Sequence, residues 1–425
     1  MLRCSVASDF EEVVWTARWA FSKRSWPFVL ALAVPWLLCA GQRSVKRFAT
    51  MEPLRRSASA YYRFLSEGKW RQPVLTKSLF DLIVKTFKLS ELTLVVDDTL
   101  CPKWGRKIFG TGSFFDHTAR PRAGFVWGHN WVVMAIVVRP NSGTSVALPF
   151  WIKLYRQKKT CTDEPFYTRL ELTSSMLEII RVWFSGPIRL LADGAYANRA
   201  LAVPAQRRSI TLISRLRSDA RLRAPAPAKR TASQRGRKPK HGRALPKLGV
   251  MAATRSAFHG QTVNIYGHRV SLLVREVVGY WPAIDNVIKV VITRDPKRPK
   301  RIAYLVTTDI ALEARTVIEG FAQRWSIEQL FSVAKNQMGL DTSEVRKRNS
   351  VVRHAALCMA LITWTEVWAY RRNPDRWGRP FAAKLAELRT VSIEQTIFAS
   401  GPRDKGSRRN AAHIADLFTQ ATSAA

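Results

Sequence analysis

LTLVVDDT, residues 92–99, is where this chain passes from helical to extended periodicity. A short apolar run rich in β-branched residues predicts a buried strand. Ending that strand in two carboxylates is costly unless the charges are paired or bind a metal. Upstream, residues 1–88 read as helical, with apolar residues at helical spacing over Ser57–Trp70 and Ser78–Phe87. Downstream, AGFVWGHNWVVMAIVV (123–138) and TSVALPFWIKLY (144–155) read as two more strands, turned at Pro140, Asn141 and Gly143. A helix follows, with Asp163 as its expected cap and Leu172, Met176, Ile179, Ile180 and Trp183 at helical spacing. IRLLA (188–192) then runs into Asp193, and ITLISRL (210–216) adds a further strand. Periodicity by itself gives a mixed α/β fold.

A second stretch, FAQRWSIEQLFSVAK (321–335), predicts one continuous helix. At ~100° per residue, Phe321, Arg324, Glu328 and Lys335 fall within roughly 60° of one another. Ile327, Leu330, Phe331, Ala334 and Met338 form the adjacent apolar stripe. One carboxylate is thereby framed by two cations and an aromatic ring, a set suited to holding a metal beside a phosphate. The plainer alternative is an amphipathic helix with solvated charges.

The formal charge is +38, from 69 Lys and Arg against 31 Asp and Glu, which makes a polyanion such as nucleic acid the leading partner. Arg221–Lys247 is the most basic tract, with ten Lys or Arg, no acid and four prolines. It reads as a basic loop able to meet backbone phosphates. Beyond it, 263–277, 287–295 and 301–309 read as strands of a β-rich insertion. Five scattered cysteines without a CxxC pair exclude a disulfide framework or zinc cluster and fit a reducing cytoplasm. His117 and His129 lack ligand spacing and are expected to hydrogen-bond locally. WPFVLALAVPWLLCA (26–40) is too short to span a bilayer and follows Asp9, Glu11 and Glu12, so it reads as a buried helix. Arg353–Tyr370 reads as another, and no membrane partner is expected.

Several motifs in this order resemble the signatures of bacterial insertion-sequence DDE transposases carrying the YREK motif. They are DDT (97–99), PKWGRKIFGTG (102–112), LADGAY (191–196), RLRSDARL (215–222), RGRKPKHG (235–242) and RWSIEQLF (324–331). Arg324, Glu328 and Lys335 match YREK, while Phe321 stands where that signature has tyrosine.

The resemblance implies a ribonuclease-H-like catalytic core over 89–216 and 311–372, with a basic loop and β-rich insertion over 217–310. From its position and charge the helical segment 1–88 is expected to be a DNA-binding domain, and 373–425 a C-terminal helical segment or tail. Asp98, Asp193 and Glu328 would be the catalytic acids and metal ligands, holding two Mg²⁺ ions with Mn²⁺ as a substitute, and Asp97 is the alternative first acid. Carboxylates suit Mg²⁺ because it prefers hard oxygen donors. Arg324, Lys335 and Phe321 would meet the DNA phosphates. The implied partners are double-stranded DNA, both element ends and target, and a second copy in a DNA-bound dimer in the bacterial nucleoid.

Overall fold

The structure, a computed structural model, describes residues 7–39, 43–50, 57–116, 124–139, 144–162, 164–227 and 239–400. Five helices come first: α1 (Ser8–Trp15), α2 (Trp26–Leu38), α3 (Val45–Thr50), α4 (Ala58–Glu67) and α5 (Gln72–Thr86). Strands β1 (Leu92–Pro102), β2 (Gly112–Asp116), β3 (Gly124–Val138) and β4 (Val146–Tyr155) follow. Next come α6 (Arg169–Trp183), β5 (Ile188–Ala192), α7 (Arg199–Arg207) and β6 (Ile210–Arg215).

An insertion carries β7 (Arg223–Pro225), β8 (His241–Ala244), α8 (Leu248–Ala253), β9 (His259–Ile265), β10 (His268–Trp281), β11 (Asn286–Arg294) and β12 (Ile302–Thr307). The chain closes with α9 (Ala314–Gln323), α10 (Ser326–Ser332), α11 (Arg348–Arg372) and α12 (Phe381–Ser400).

All twelve strands belong to one mixed sheet. Its first half runs β4–β3–β1–β5–β6, with β3 antiparallel to both neighbours and β1, β5 and β6 parallel. This order is compatible with a ribonuclease-H-like core. The insertion does not fold apart from it. β12 pairs antiparallel with β6, and the sheet continues through β11 and β10 to β7 and β8. Helices cover both faces: α6 and α7 pack together on one, and α9, α10 and α11 lie on the other.

β1 is buried on both faces because helices cover both, which explains its unbroken apolar run. The helix α2 predicted from 26–40 is buried, as is α11, whose residues from His354 to Ala369 are all buried. The N-terminal helices wrap α11, where Trp36 Nε1 donates to the Met338 carbonyl at 2.8 Å and Phe80 packs edge-on against Phe150 of β4. Their apolar side chains belong to the same continuous core as the sheet. Among the described residues no helix is long and apolar enough to cross a membrane.

Three local expectations differ from the structure. The run 263–277 is not one strand: it turns back at Tyr266 and Gly267, both at positive φ, to pair β9 with β10. Two consecutive positive-φ residues make the tight turn whose twist suits a hairpin, and glycine meets that demand without strain. The basic tract is not all loop, because β7 and β8 pair with each other and Arg223 pairs with Tyr280 of β10. Backbone pairing to an existing sheet edge supplies what the tract's composition lacks. Finally, α6 is capped by Thr168, whose hydroxyl accepts from Glu171 N while the Glu171 carboxylate accepts from Thr168 N. The T-x-x-E signature of a capping box was readable there. Asp163, His117, the turn at 140–143, residues 228–238 and the tail from 401 lie outside the described residues.

Candidate active site

Asp97 and Asp98 are adjacent on β1, so pleating sends their side chains to opposite faces of the sheet. Register decides which one meets the other acids. Val96 is paired with Ala192 across the parallel β1–β5 ladder. Leu191, level with Val95, shares the face of Asp97 by the two-residue alternation of the strands, and Asp193, just past the end of β5, is near enough for its charge to act on Asp97. On that face Gly320 of α9 lies over Leu191 and Ile213, which brings the following residues of the chain above the strand ends.

Arg324 is the consequence. Its guanidinium donates to Asp97 Oδ2 at 3.1 Å and to Glu328 Oε1 at 2.9 Å, linking two carboxylates from distant parts of the sequence. It also sits 5.7 Å over the Phe321 ring. The geometry arises from a local departure from the expected helix. Between α9 and α10 the backbone tightens, with Ile327 N bonded to Arg324 O and Glu328 N to Trp325 O, and after Ser332 it loosens into a π-turn over Val333–Gln337. The continuous helix predicted over 321–335 is therefore segmented. Phe321, Arg324 and Glu328 keep their common edge, whereas Lys335 lies in the π-turn and its charge is felt at the buried Cys101 thiol of β1.

Asp97 is largely buried, and its pKa is raised to about 7. Burial is the main cause, and the neighbouring charges of Asp98 and Asp193 push the same way. The hydrogen bond from Asp98 N (2.9 Å) and the Arg324 charge oppose them. A carboxylate whose charged form is disfavoured by burial, and further by like charges, is a group that an added cation would favour.

Asp98 occupies a different environment. Its Oδ2 accepts from Asn130 Nδ2 at 2.9 Å and from Arg169 Nη1 at 2.8 Å, and Tyr196 OH donates to Oδ1 at 3.3 Å. Tyr196 lies within LADGAY, but no residue pattern in the sequence assigns a role to it, to Asn130 or to Arg169. No spacing signal marks Asn130, which reaches Asp98 only because β3 pairs with β1. Burial raises the Tyr196 pKa well above its ordinary value, helped by the charges of Asp98 and Asp97, so it stays protonated as a donor. His129 hydrogen-bonds the Phe109 carbonyl at 2.9 Å, and burial lowers its pKa to about 4.

Among the described residues, no three His, Cys, Asp or Glu side chains converge closely enough to hold a metal ion. The donor chemistry nonetheless suits a hard divalent cation. Asp97 and Glu328 supply hard oxygen donors, and they share one positive charge, that of Arg324. Asp193 is close enough to Asp97 for its charge to act there.

A family model described as "DDE superfamily endonuclease" matches residues 20–269, more than half of the chain. The match spans Asp97, Asp98 and Asp193, and it ends before Arg324 and Glu328. No curated protein matches the chain in a sequence comparison.

Proposed function

This chain belongs to the DDE superfamily endonucleases, and from that premise we propose that it is a transposase acting on the ends of its own insertion sequence. Membership brings a nuclease or polynucleotidyl-transferase type of activity on DNA, in families that generally use divalent metal ions. The finer reading is that it cleaves a strand at each element end and joins the freed 3′ hydroxyl to target DNA, as a dimer that synapses two ends. Residues 89–216 and 311–372 form the ribonuclease-H-like core in this reading, 217–310 the insertion, and 1–88 the DNA-binding segment.

The observation that supports it is the single guanidinium shared by Asp97 and Glu328, with the Asp193 charge acting on Asp97. It favours Asp97 over Asp98 as the first acid. Asp97, Asp193 and Glu328 would hold Mg²⁺, with Mn²⁺ as a substitute. Bound there, the metal supplies an activated water and charge neutralisation at the scissile phosphate. The chain's own residues do the rest. The carboxylates orient the attacking oxygen, Arg324 and Lys335 clamp backbone phosphate, and Phe321 supports the guanidinium by stacking. In the joining step, the 3′ oxygen forms a bond to the target phosphorus as the target's bridging P–O bond breaks, and its proton passes to solvent.

The test is Mg²⁺-dependent cleavage and joining of a duplex carrying an element end, for wild type and for Asp97→Ala, Asp98→Ala, Asp193→Ala and Glu328→Ala. We expect at least a ~100-fold loss for the Asp97, Asp193 and Glu328 variants, a scale set by removing electrostatic stabilisation at a reacting centre, and a smaller loss for Asp98→Ala. Equal activity in all five proteins overturns the mechanism. Nicked products without joined target would favour a nuclease lacking strand transfer.

A further inference from the structure

Four large aromatic side chains gather on one exposed patch at the end of β1 remote from Leu92. Trp104, in the loop after β1, is 98% exposed, Phe125 of β3 is 74% exposed, and Phe115 and Trp127 are also exposed. Register shows that three of them share a face of the β2–β3 hairpin: Phe115 is paired with Phe125, Ser113 with Trp127, and residues 125 and 127 are two apart on one strand. Phe115 and Phe125 meet edge-to-face at 5.5 Å. Trp127 Nε1 donates to the Gly105 carbonyl at 3.3 Å, which ties the Trp104 loop to the hairpin.

The core does not need these rings. Phe114, on the other face of the same hairpin, is buried and packs on Tyr155. An aromatic patch left in water beside a satisfied core points to a ligand.

Charge selects the ligand class. Arg106 and Lys107 beside Trp104 are exposed, and the chain carries a net +38, which disfavours a second copy of itself on this face. Exposed rings next to cations suit nucleic-acid bases, whose π-faces become available only when unpaired. Location agrees. β1 runs unbroken from Asp97 to Pro102, and at ~3.3 Å per residue Trp104 lies roughly 20 Å from Asp97, a reach of a few nucleotides.

We propose that Trp104, Phe125 and Trp127, with Phe115, form a stacking platform for unpaired bases of the DNA whose backbone is cut at the acidic site. This rests on the DNA-processing reading above and adds the form of DNA recognised.

The experiment measures binding of labelled oligonucleotides by fluorescence anisotropy in EDTA, so that no cleavage intervenes. The probes are a single strand, a blunt duplex, and the same duplex with a short single-stranded tail. Trp104→Ala and Phe125→Ala, both at exposed positions, are compared with wild type and with Val182→Ala, an exposed apolar residue near the end of α6. We expect each platform variant to weaken binding of the single strand and the tailed duplex by roughly 5- to 100-fold, with less than about a twofold change for the blunt duplex and none from Val182→Ala. Equal losses on blunt and tailed duplex, or no loss on either, overturn the platform. So does a change in oligomeric state of the variants by light scattering, which would make the patch a protein contact. If wild type binds no DNA of any form, the functional reading itself fails; if it binds duplex normally without preferring a tail, the platform alone fails.

Discussion

Two carboxylate–cation contacts in this molecule look alike on paper and are built in opposite ways. Glu366 of α11 and Lys384 of α12 meet at 2.6 Å with side chains only 5% and 1% exposed. Trp377 closes over them, its Nε1 donating to the Glu366 carbonyl at 3.0 Å and its ring 5.1 Å from the lysine nitrogen. The carboxylate meets the ammonium directly, with the Arg379 charge nearby, and both side chains are buried. At the acidic site one arginine faces two carboxylates, a third acid adds its field, and Arg324 Nε is buried without a hydrogen-bond partner among the described residues. The first contact locks two helices together. The second sets one cation against two carboxylates and the field of a third, which is how it differs from a closed structural ion pair.

Breaking the sealed pair should have the largest effect. Glu366→Ala leaves Lys384 buried and uncompensated, and its expected cost is about 3–5 kcal/mol, seen as a drop in the urea unfolding midpoint. Replacing both residues with apolar side chains of similar size, Glu366→Leu with Lys384→Met, should recover most of that loss. A single variant that loses less than about 1 kcal/mol would show that the lysine escapes to solvent, and the contrast between the two contacts would vanish.

The two regions also differ in how far they could be read from sequence. α11 was legible as a buried helix because its apolar residues run all the way round. The core strands were legible for a similar reason, their β-branched runs falling within a few residues of the observed ones. That same feature hid the phase of β1. A strand buried on both faces shows no apolar–polar alternation, so nothing in LTLVVDDT says which aspartate points towards α9. Only pairing with β5 supplies that, and pairing is a tertiary fact. The tightened turn at Arg324 and the π-turn at Lys335 were likewise invisible to an ideal 3.6-residue wheel. The Tyr266–Gly267 turn and the Thr168 capping box are both written in local sequence; β-favouring residues on both sides mask the first, and Asp163 offers a competing cap upstream of the second.

The acidic site makes a prediction of opposite sign to that of the sealed pair. The folded-state pKa of Asp97 is raised to about 7 from an ordinary 3.8. Its contribution therefore favours the folded state fully below pH 3.8 and is lost as pH rises through 7. At ~1.4 kcal/mol per unit, the loss is at most about 4 kcal/mol. Asp97→Asn should remove that slope and be more stable than wild type above pH 7, with little difference near pH 4, as read from thermal midpoints across this range. Added Mg²⁺ should raise the wild-type midpoint at pH 8 and leave Asp97→Asn unmoved. An Asn variant less stable than wild type at pH 8 would mean that Arg324 already balances the site.

The smallest effect should come from Arg169, and it tests the face assignment. Its contact with Asp98 is short, at 2.8 Å, but the arginine side chain is 45% exposed, so solvent screens the charge. Arg169→Ala should cost no more than about 1 kcal/mol, close to the cost of deleting Lys77 from its exposed pair with Asp81 on α5. It should also leave Mg²⁺-dependent DNA cleavage within roughly tenfold of wild type, because a group on the α6 side of the sheet acts only through its neighbour on β1. That bound is about 1.4 kcal/mol of barrier. A larger loss of cleavage with unchanged stability would move the first acid back to Asp98, and it would make the α6 face, not the α9 face, the side on which the substrate phosphate sits.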